Sequence, residues 1–288
     1  MTARTSGPAD VTPAVLAWGG PRLRDLPWRR TRDPWAILVA EVMLQQTQAD
    51  RVIPKWESFL ESFPTPAVCA DQELGAVLRL WQGLGYPRRA RNLHAAARMV
   101  TVASAFPDTL GGLLALPGIG PYTARAVLVF AYGADEAVVD TNIARVLARL
   151  GGVRLTPRRA QAAADALVPR GQGWLWNQVF MDLGAMVCRP APRCDACPVA
   201  PACSWRRAGL PEPDPAVGSA GVSTPQAPFA GSDRQARGRL LAALGPSAVD
   251  RAGVPAVMGR DDTTAYRLLE ALVADGLVVI DDGTVRLP

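Results

Sequence analysis

The sequence predicts a mainly α-helical protein that ends in a small winged-helix-like α+β module. Three observations predict it. Apolar residues recur at helical spacing through most of the first 206 positions, with few strand-like stretches. A Pro/Gly/Ser/Ala-rich segment without periodicity, residues 208–232, then interrupts the pattern and reads as a linker. After it come two amphipathic runs, DRQARGRLLAALG and DDTTAYRLLEALVADG, and then LVVIDDGTVRL, a hairpin on an Asp-Gly turn. Such a module serves either DNA contact or packing against a partner, and its pattern alone does not choose.

Taken in order, PRLRDLPWRR leads into a first long helix. Asp33 and Pro34 supply a capping carboxylate and a proline at the first helical position. That helix is expected to run to Pro54. Further helices are expected at 55–62, 72–82, 87–101 and 109–116. A glycine turn follows, then a helix over 121–132, a buried run Ala137-Val138-Val139, and a helix from Asp140. Helices at 157–168 and 174–187 complete the region.

Length and composition allow one large or two medium domains: 288 residues, 49% hydrophobic and 20% charged. No apolar run reaches the roughly 18 residues a membrane span needs, and the N-terminal residues lack the pattern of a secretory signal. We therefore expect a cytosolic protein with no membrane partner. A net charge of +5 and a pI near 9.2 suit an anionic partner without identifying one. Lys55 is the only lysine and His94 the only histidine, so no site can be built from several histidines.

Four cysteines stand together in CRPAPRCDACPVAPAC, as Cys188, Cys194, Cys197 and Cys203 with C-x5-C-x2-C-x5-C spacing. In a cytosolic chain this implies a metal centre rather than disulfides. Zinc and an iron–sulfur cluster both fit four thiolates. Cys69 lies apart and reads as a buried core thiol.

The stretch LPGIGPYTAR, residues 116–125, is a tight turn between two helical runs. It lacks the Gly-Lys-Ser/Thr of a P-loop and the preceding strand of a dinucleotide fingerprint. Helix, glycine hairpin, helix suits a DNA phosphate held by backbone N–H groups, with an ordinary helix–helix turn as the plain alternative. Arg88, Arg89 and Arg91 similarly form either a solvated helix face or a phosphate contact. Trp174 and Trp176 read as core residues.

Two carboxylates stand in contrasting settings. Glu41 falls on the stripe of Ile37, Leu38, Leu44 and Gln45, where apolar neighbours should raise its pKa and keep a proton available. The alternative is an edge glutamate paired with an arginine. Asp140 ends a buried run and starts a helix, where the helix N-terminus favours its ionised form. A plain N-cap is its alternative reading. A proton donor beside an anionic stabiliser is the division of labour that glycosidic cleavage needs.

Taken together, EVMLQQTQ, GLGYPRRARNLH, LPGIGPYTARAV, VVDTNIARV, NQVFMDLGAMVC and the cysteine loop resemble the helix-hairpin-helix DNA glycosylases, in particular their adenine-specific MutY branch. The resemblance covers residues 20–206. It implies an iron–sulfur lobe from residues 10–30 and 143–207, a six-helix barrel with the hairpin over 31–142, and [4Fe–4S] ligation by the four cysteines. The remaining divisions are the linker at 208–232 and the winged-helix-like module at 233–288.

The implied partner is double-stranded DNA with a mismatch or 8-oxoguanine lesion, bound by a monomer that flips adenine into its cleft. Glu41 would protonate adenine N7 and Asp140 would stabilise the sugar cation or a covalent intermediate, with Tyr122 and Asn142 in support. Trp28, Arg29, Leu44 and Gln178 would line the adenine pocket. Gln46, Thr47 and Tyr86 would fill the gap in the duplex and touch the opposite base, and Gly118 and Gly120 would hold a backbone phosphate. Bifunctional relatives of the endonuclease III type carry a catalytic lysine where Tyr122 stands, which argues against a lysine-based lyase here. A mismatch thymine glycosylase of the same fold is the nearer alternative; residues 44–47, LQQT, favour the adenine branch. Two departures stand out. The first cysteine spacing is five residues where the family usually has six, and the tail is too short for the Nudix-like domain that usually reads 8-oxoguanine. That tail resembles the ends of some actinobacterial members.

Overall fold

The computed structural model describes residues 11–222 and 227–288. Its helices are α1 (Val11–Gly19), α2 (Pro34–Leu44), α3 (Ala49–Ser62), α4 (Pro66–Ala70), α5 (Leu74–Trp81), α6 (Arg88–Ala103) and α7 (Leu110–Leu114). Then come α8 (Pro121–Tyr132), α9 (Thr141–Gly151), α10 (Pro157–Asp165), α11 (Gly173–Met186), α12 (Ser204–Arg207) and α13 (Asp233–Ala243). The chain closes with β1 (Val249–Asp250), α14 (Val254–Met258), α15 (Asp262–Ala274), β2 (Val279–Asp281) and β3 (Thr284–Arg286). Among the described residues no helix is long and apolar enough to cross a membrane.

The chain divides into two compact units, Met1–Pro34 with Gly120–Pro225, and Trp35–Ile119 with Gln226–Pro288. These divisions fall at 34/35 and 119/120, where the expected ones lay at 30/31 and 142/143.

In the first unit α9 and α11 pack together, and α1, an element the sequence reading did not mark, lies along α11. Trp176 stacks on Phe180 at 4.7 Å in the centre of this core, beside Val15, Ile143, Leu147 and Leu183. Trp176 is thus the core residue expected, while Trp174 is half-exposed under the Arg32 guanidinium, 4.4 Å from its ring centre. Gly184 lets α9 and α11 approach: a Cβ there would stand 2.6 Å from the Asn142 Cβ.

The expected linker at 208–232 is, over its first half, a strap fixed to this unit. Asp214 meets the buried Arg149 at 2.5 Å, Leu155 N–H donates to Ser219 Oγ at 3.0 Å, and Ala220 N–H to the Leu155 carbonyl at 2.9 Å. Composition suggested flexibility, but long-range ion pairing and hydrogen bonding hold the turns in place. Residues 223–226 of that segment lie outside the described residues.

The second unit carries α2 to α7 and the C-terminal module. Phe59 sits at its aromatic centre, 5.0 Å from Phe63, 6.3 Å from Trp81 and 6.4 Å from Trp35. The buried indoles keep their N–H groups satisfied: Trp35 donates to the Phe63 carbonyl and Trp56 to that of Ala36. Cys69 is fully buried, and burial pushes its thiol up to about 12, as fits an inert core residue. The expected single helix to Pro54 is broken. α2 ends at Leu44, Gln46 takes φ +56°, and α3 runs through Pro54.

The module has the order α13, β1, α14, α15, β2, β3, with an antiparallel sheet in the order β1-β3-β2. Asp282 and Gly283, at φ +44° and +78°, form the turn that the Asp-Gly pair predicts. Asp275 ties the module to α6: its carboxylate takes Arg88 at 2.6 Å and Arg237 at 2.7 Å, and its carbonyl takes Arg91. At the other end the Gly75 N–H donates to the Pro288 carbonyl at 2.7 Å.

Candidate active site

Each unit carries a share of the candidate residues. In the second unit, Glu41 is 5% exposed, and every neighbour from Trp35 to Met43 is buried with it. A glutamate enters so apolar a helix at a cost, because burial opposes the charged form. Leu44 ends α2 half-buried, and the turn after it presents Gln46 to solvent with Thr47 beside it. Tyr86 is also exposed and also left-handed, at φ +48°. Two non-glycine residues in that region mark strained turns of the kind found where chains meet ligands.

Gly118 heads the glycine hairpin at φ +76°, and a Cβ there would lie 2.6 Å from the Asn92 amide nitrogen. Both the backbone and the neighbour therefore require glycine. In the first unit Gly120 precedes α8 in extended form, and Tyr122 stands in the first turn of that helix. A helix N-terminus of this kind carries the positive end of the helix dipole, which suits an anionic group.

Asp140 is the N-cap of α9. Its carboxylate accepts from the Ile143 N–H at 2.7 Å and from the Asn142 side-chain amide at 2.8 Å. The cap was expected to hold it ionised, but the net effect has the opposite sign. Burial pushes the Asp140 carboxyl above its ordinary 3.8, outweighing the Ile143 and Asn142 hydrogen bonds and the Arg145 charge. Asn142 also accepts from Arg145 at 2.8 Å, and Arg145 Nε donates to the Cys188 carbonyl at 2.6 Å.

Trp28 and Arg29 lie in a single 3-10 turn, Pro27–Arg29, and Gln178 is buried on α11. One turn beyond Gln178 stands Asp182, which the sequence reading passed over. It is 1% exposed, receives both terminal nitrogens of Arg29 at 2.8 and 2.9 Å, and takes Arg24 Nε at 2.6 Å. Burial would raise its pKa, but the Arg29 hydrogen bonds and charge, the Arg24 N–H and the Arg24 charge together hold it below 3.8. The signal was available: a lone carboxylate on an apolar helix, the same pattern that singled out Glu41.

Removing one partner of a buried pair strands the other. Asp182→Asn is expected to lose about 3–5 kcal/mol of stability at neutral pH in chemical denaturation. The wild-type advantage should be full above 3.8 and disappear as pH falls through the lower folded value. An undiminished difference in acid would contradict this ionisation.

Cys188, Cys194, Cys197 and Cys203 line one recess with Arg149 and Trp205. Arg149 braces their loop, donating to the Arg189 carbonyl at 2.6 Å, the Pro190 carbonyl at 2.9 Å and Cys188 Sγ at 3.4 Å. Among the described residues no three His, Cys, Asp or Glu side chains converge closely enough to hold a single metal ion.

The arginines that open α6 are each tied to the protein itself. Arg88 and Arg91 hold the C-terminal module, as above. Arg89 is committed to the carbonyls of two turns, and burial lowers its pKa to about 10. Lys55, the only amine side chain, donates to the Leu80 carbonyl at 3.4 Å. His94 is buried with Nε2 2.9 Å from the Gln72 carbonyl, and burial lowers its pKa.

A family model for the HhH-GPD superfamily base excision DNA repair proteins matches residues 39–170, which span Glu41, the glycine hairpin and Asp140. Adenine DNA glycosylase of Mycobacterium tuberculosis strain H37Rv is 40% identical over 299 residues, covering 98% of this chain and 95% of its own. That of Mycolicibacterium smegmatis is 42% identical over 276 residues, covering 92% and 91%. A solved thermostable thymine-DNA glycosylase superposes with a TM-score of 0.67 at 30% identity, over 70% of this chain and 97% of its own. A non-covalent endonuclease III–DNA complex, at 22% identity and a TM-score of 0.62, shares the fold. The chain belongs to the adenine DNA glycosylase family of the HhH-GPD superfamily.

Proposed function

We propose that the protein is a monofunctional adenine DNA glycosylase of base excision repair. It hydrolyses the N-glycosidic bond of adenine mispaired with 8-oxoguanine or guanine in duplex DNA, acting as a monomer at the bacterial chromosome in the cytoplasm. The observation that carries this reading is the buried Glu41 on an otherwise apolar α2. A carboxyl set into an apolar helix is placed to hand a proton to a base brought against it, as a general acid does.

Glu41 donates its proton to N7 of the flipped adenine. The C–N bond then breaks, and its electron pair leaves with the neutral base. The ionised Asp140 carboxylate faces the positive sugar and stabilises it, held by the Ile143 N–H and the Asn142 amide. Water adds to the sugar carbon and returns a proton to Glu41, leaving an abasic site. Asn142 orients Asp140, and Tyr122 has a supporting part. Trp28, Arg29, Leu44 and Gln178 hold the base; the clamp of Asp182 on Arg29 fixes one wall of that pocket. Gln46, Thr47 and Tyr86 occupy the gap and meet the opposite base, and Gly118 and Gly120 receive a phosphate.

The cysteine recess would hold a [4Fe–4S] cluster, with zinc the alternative. Four thiols line one space, and four thiolates serve either group. When bound, the cluster would supply four iron–sulfur bonds that cross-link the loop from Cys188 to Cys203. Iron and acid-labile sulfide in near-equal amounts, with a broad visible absorption, are expected of the purified protein; zinc alone would overturn the assignment.

Monofunctional chemistry is tested with a duplex bearing adenine opposite 8-oxoguanine. Strand breaks should appear only after alkali, and borohydride should trap no covalent complex. With Tyr122 in the hairpin helix and the Lys55 amine bonded to the Leu80 carbonyl, no lysine is offered there for a Schiff base. A borohydride-trapped adduct would contradict this.

A further inference from the structure

Arg89 makes an unusual set of bonds for a residue on the N-terminal turn of a helix. One terminal nitrogen, Nη1, donates to the carbonyls of Val42, Met43 and Gln45 at 2.7, 3.1 and 2.6 Å. The other, Nη2, donates to the carbonyls of Leu84 and Gly85 at 3.0 and 3.1 Å and lies 3.5 Å from Thr47 Oγ1. The first group is the open C-terminal end of α2, the second the turn before α6. Both turns carry a non-glycine residue in the left-handed region, Gln46 and Tyr86. The guanidinium also lies 5.5 Å from the ring centres of both Trp81 and Tyr86.

Carbonyl groups at a helix C-terminus attract cations, and a planar guanidinium can serve two sets of acceptors at once. An ammonium on a flexible stem offers three donors around one point and cannot span both sets. Thr47 adds its own link, with Oγ1 3.5 Å from the Leu84 carbonyl.

We infer that Arg89 is a positioning residue that locks the Gln46 and Tyr86 turns into one rigid wedge for opening the duplex at the mispair. This rests on the proposed role of Gln46 and Tyr86 at the duplex gap. Arg89 touches no reacting atom; it sets the spacing of two side chains that enter the DNA together. A wedge with both halves fixed does not have to be ordered during base extrusion.

The test places 2-aminopurine next to the adenine–8-oxoguanine pair and follows its fluorescence as the full-length protein binds. Arg89→Lys and Arg89→Gln are compared with Tyr86→Ser and with wild type. The Arg89 variants are expected to lose most of the fluorescence rise and at least about tenfold of single-turnover adenine release, with affinity for undamaged duplex within about threefold. Arg89→Lys, which keeps the charge, should not rescue.

Limited proteolysis supplies a second readout, with cleavage at residues 45–47 and 84–87 rising in the Arg89 variants while the rest of the chain stays protected. Folded Arg89→Lys and Arg89→Gln proteins with wild-type fluorescence and release would overturn the inference, provided Tyr86→Ser is impaired. If Tyr86→Ser also behaves as wild type, the wedge reading itself fails. If both Arg89 variants lose thermal stability and all DNA affinity together, Arg89 is a general fold residue and the inference is likewise overturned.

Discussion

Glu41→Gln is expected to lower single-turnover release of adenine by about 10²- to 10⁴-fold, the range that a positioned general acid contributes. The glutamine keeps the shape of the side chain and loses the transferable proton. Because the residue is buried within α2 rather than on a DNA-facing surface turn, affinity for the mispaired duplex should change little. An amide of the same shape keeps the packing of α2, so thermal stability should change little. The measurement is release under enzyme excess, with binding followed separately by anisotropy. Equal rates for the two proteins would remove Glu41 from the chemistry, and parallel loss of binding and release would make it a structural residue.

Asp140→Asn should have an effect of similar size, about 10²- to 10³-fold on release. Its companion effect has the opposite sign. Asparagine caps a helix as well as aspartate does, so the bond from the Ile143 N–H survives. Burial disfavours the charge, and the folded pKa of Asp140 lies above 3.8. With the folded value raised, the aspartate's contribution to stability is full below 3.8 and is lost as pH rises through the folded value. Above that value the wild type carries a buried charge that the variant lacks. Asp140→Asn should therefore unfold at a higher temperature than wild type at neutral pH while releasing adenine far more slowly. The acid limb of the wild-type rate profile should also lie above 3.8, because the cation is stabilised only by the ionised form. A variant both slower and less stable at neutral pH would mean that the cap, not the charge, is what Asp140 supplies.

Both carboxylates were legible in the sequence because each broke a local pattern. Glu41 interrupts an apolar helix and Asp140 starts one. The cysteine loop was legible from spacing, and the winged-helix-like tail from two amphipathic runs and an Asp-Gly turn. The break after Leu44 was not, since the helical pattern of Gln45 to Val52 is as good as that of the helices around it. Only the left-handed Gln46, with the Gln45 carbonyl before it held by the Arg89 guanidinium, reveals the turn. The roles of Arg89, Asp182, Arg149 and Asp214 depend on partners 39 to 158 positions away in most of their bonds, and local pattern carries no such information. The net effect on Asp140 escaped for the same reason: the helix terminus is local, whereas burial is made by the whole fold.

The most direct test of the account is single-turnover base release from three duplexes, with adenine opposite 8-oxoguanine, adenine opposite guanine and thymine opposite guanine. The account predicts that free adenine leaves the first two and that no thymine leaves the third. The ratio of the first two rates then measures how well this chain reads 8-oxoguanine with its own 288 residues. Release of thymine alone would contradict the account and move the protein to the mismatch-thymine branch of the same fold.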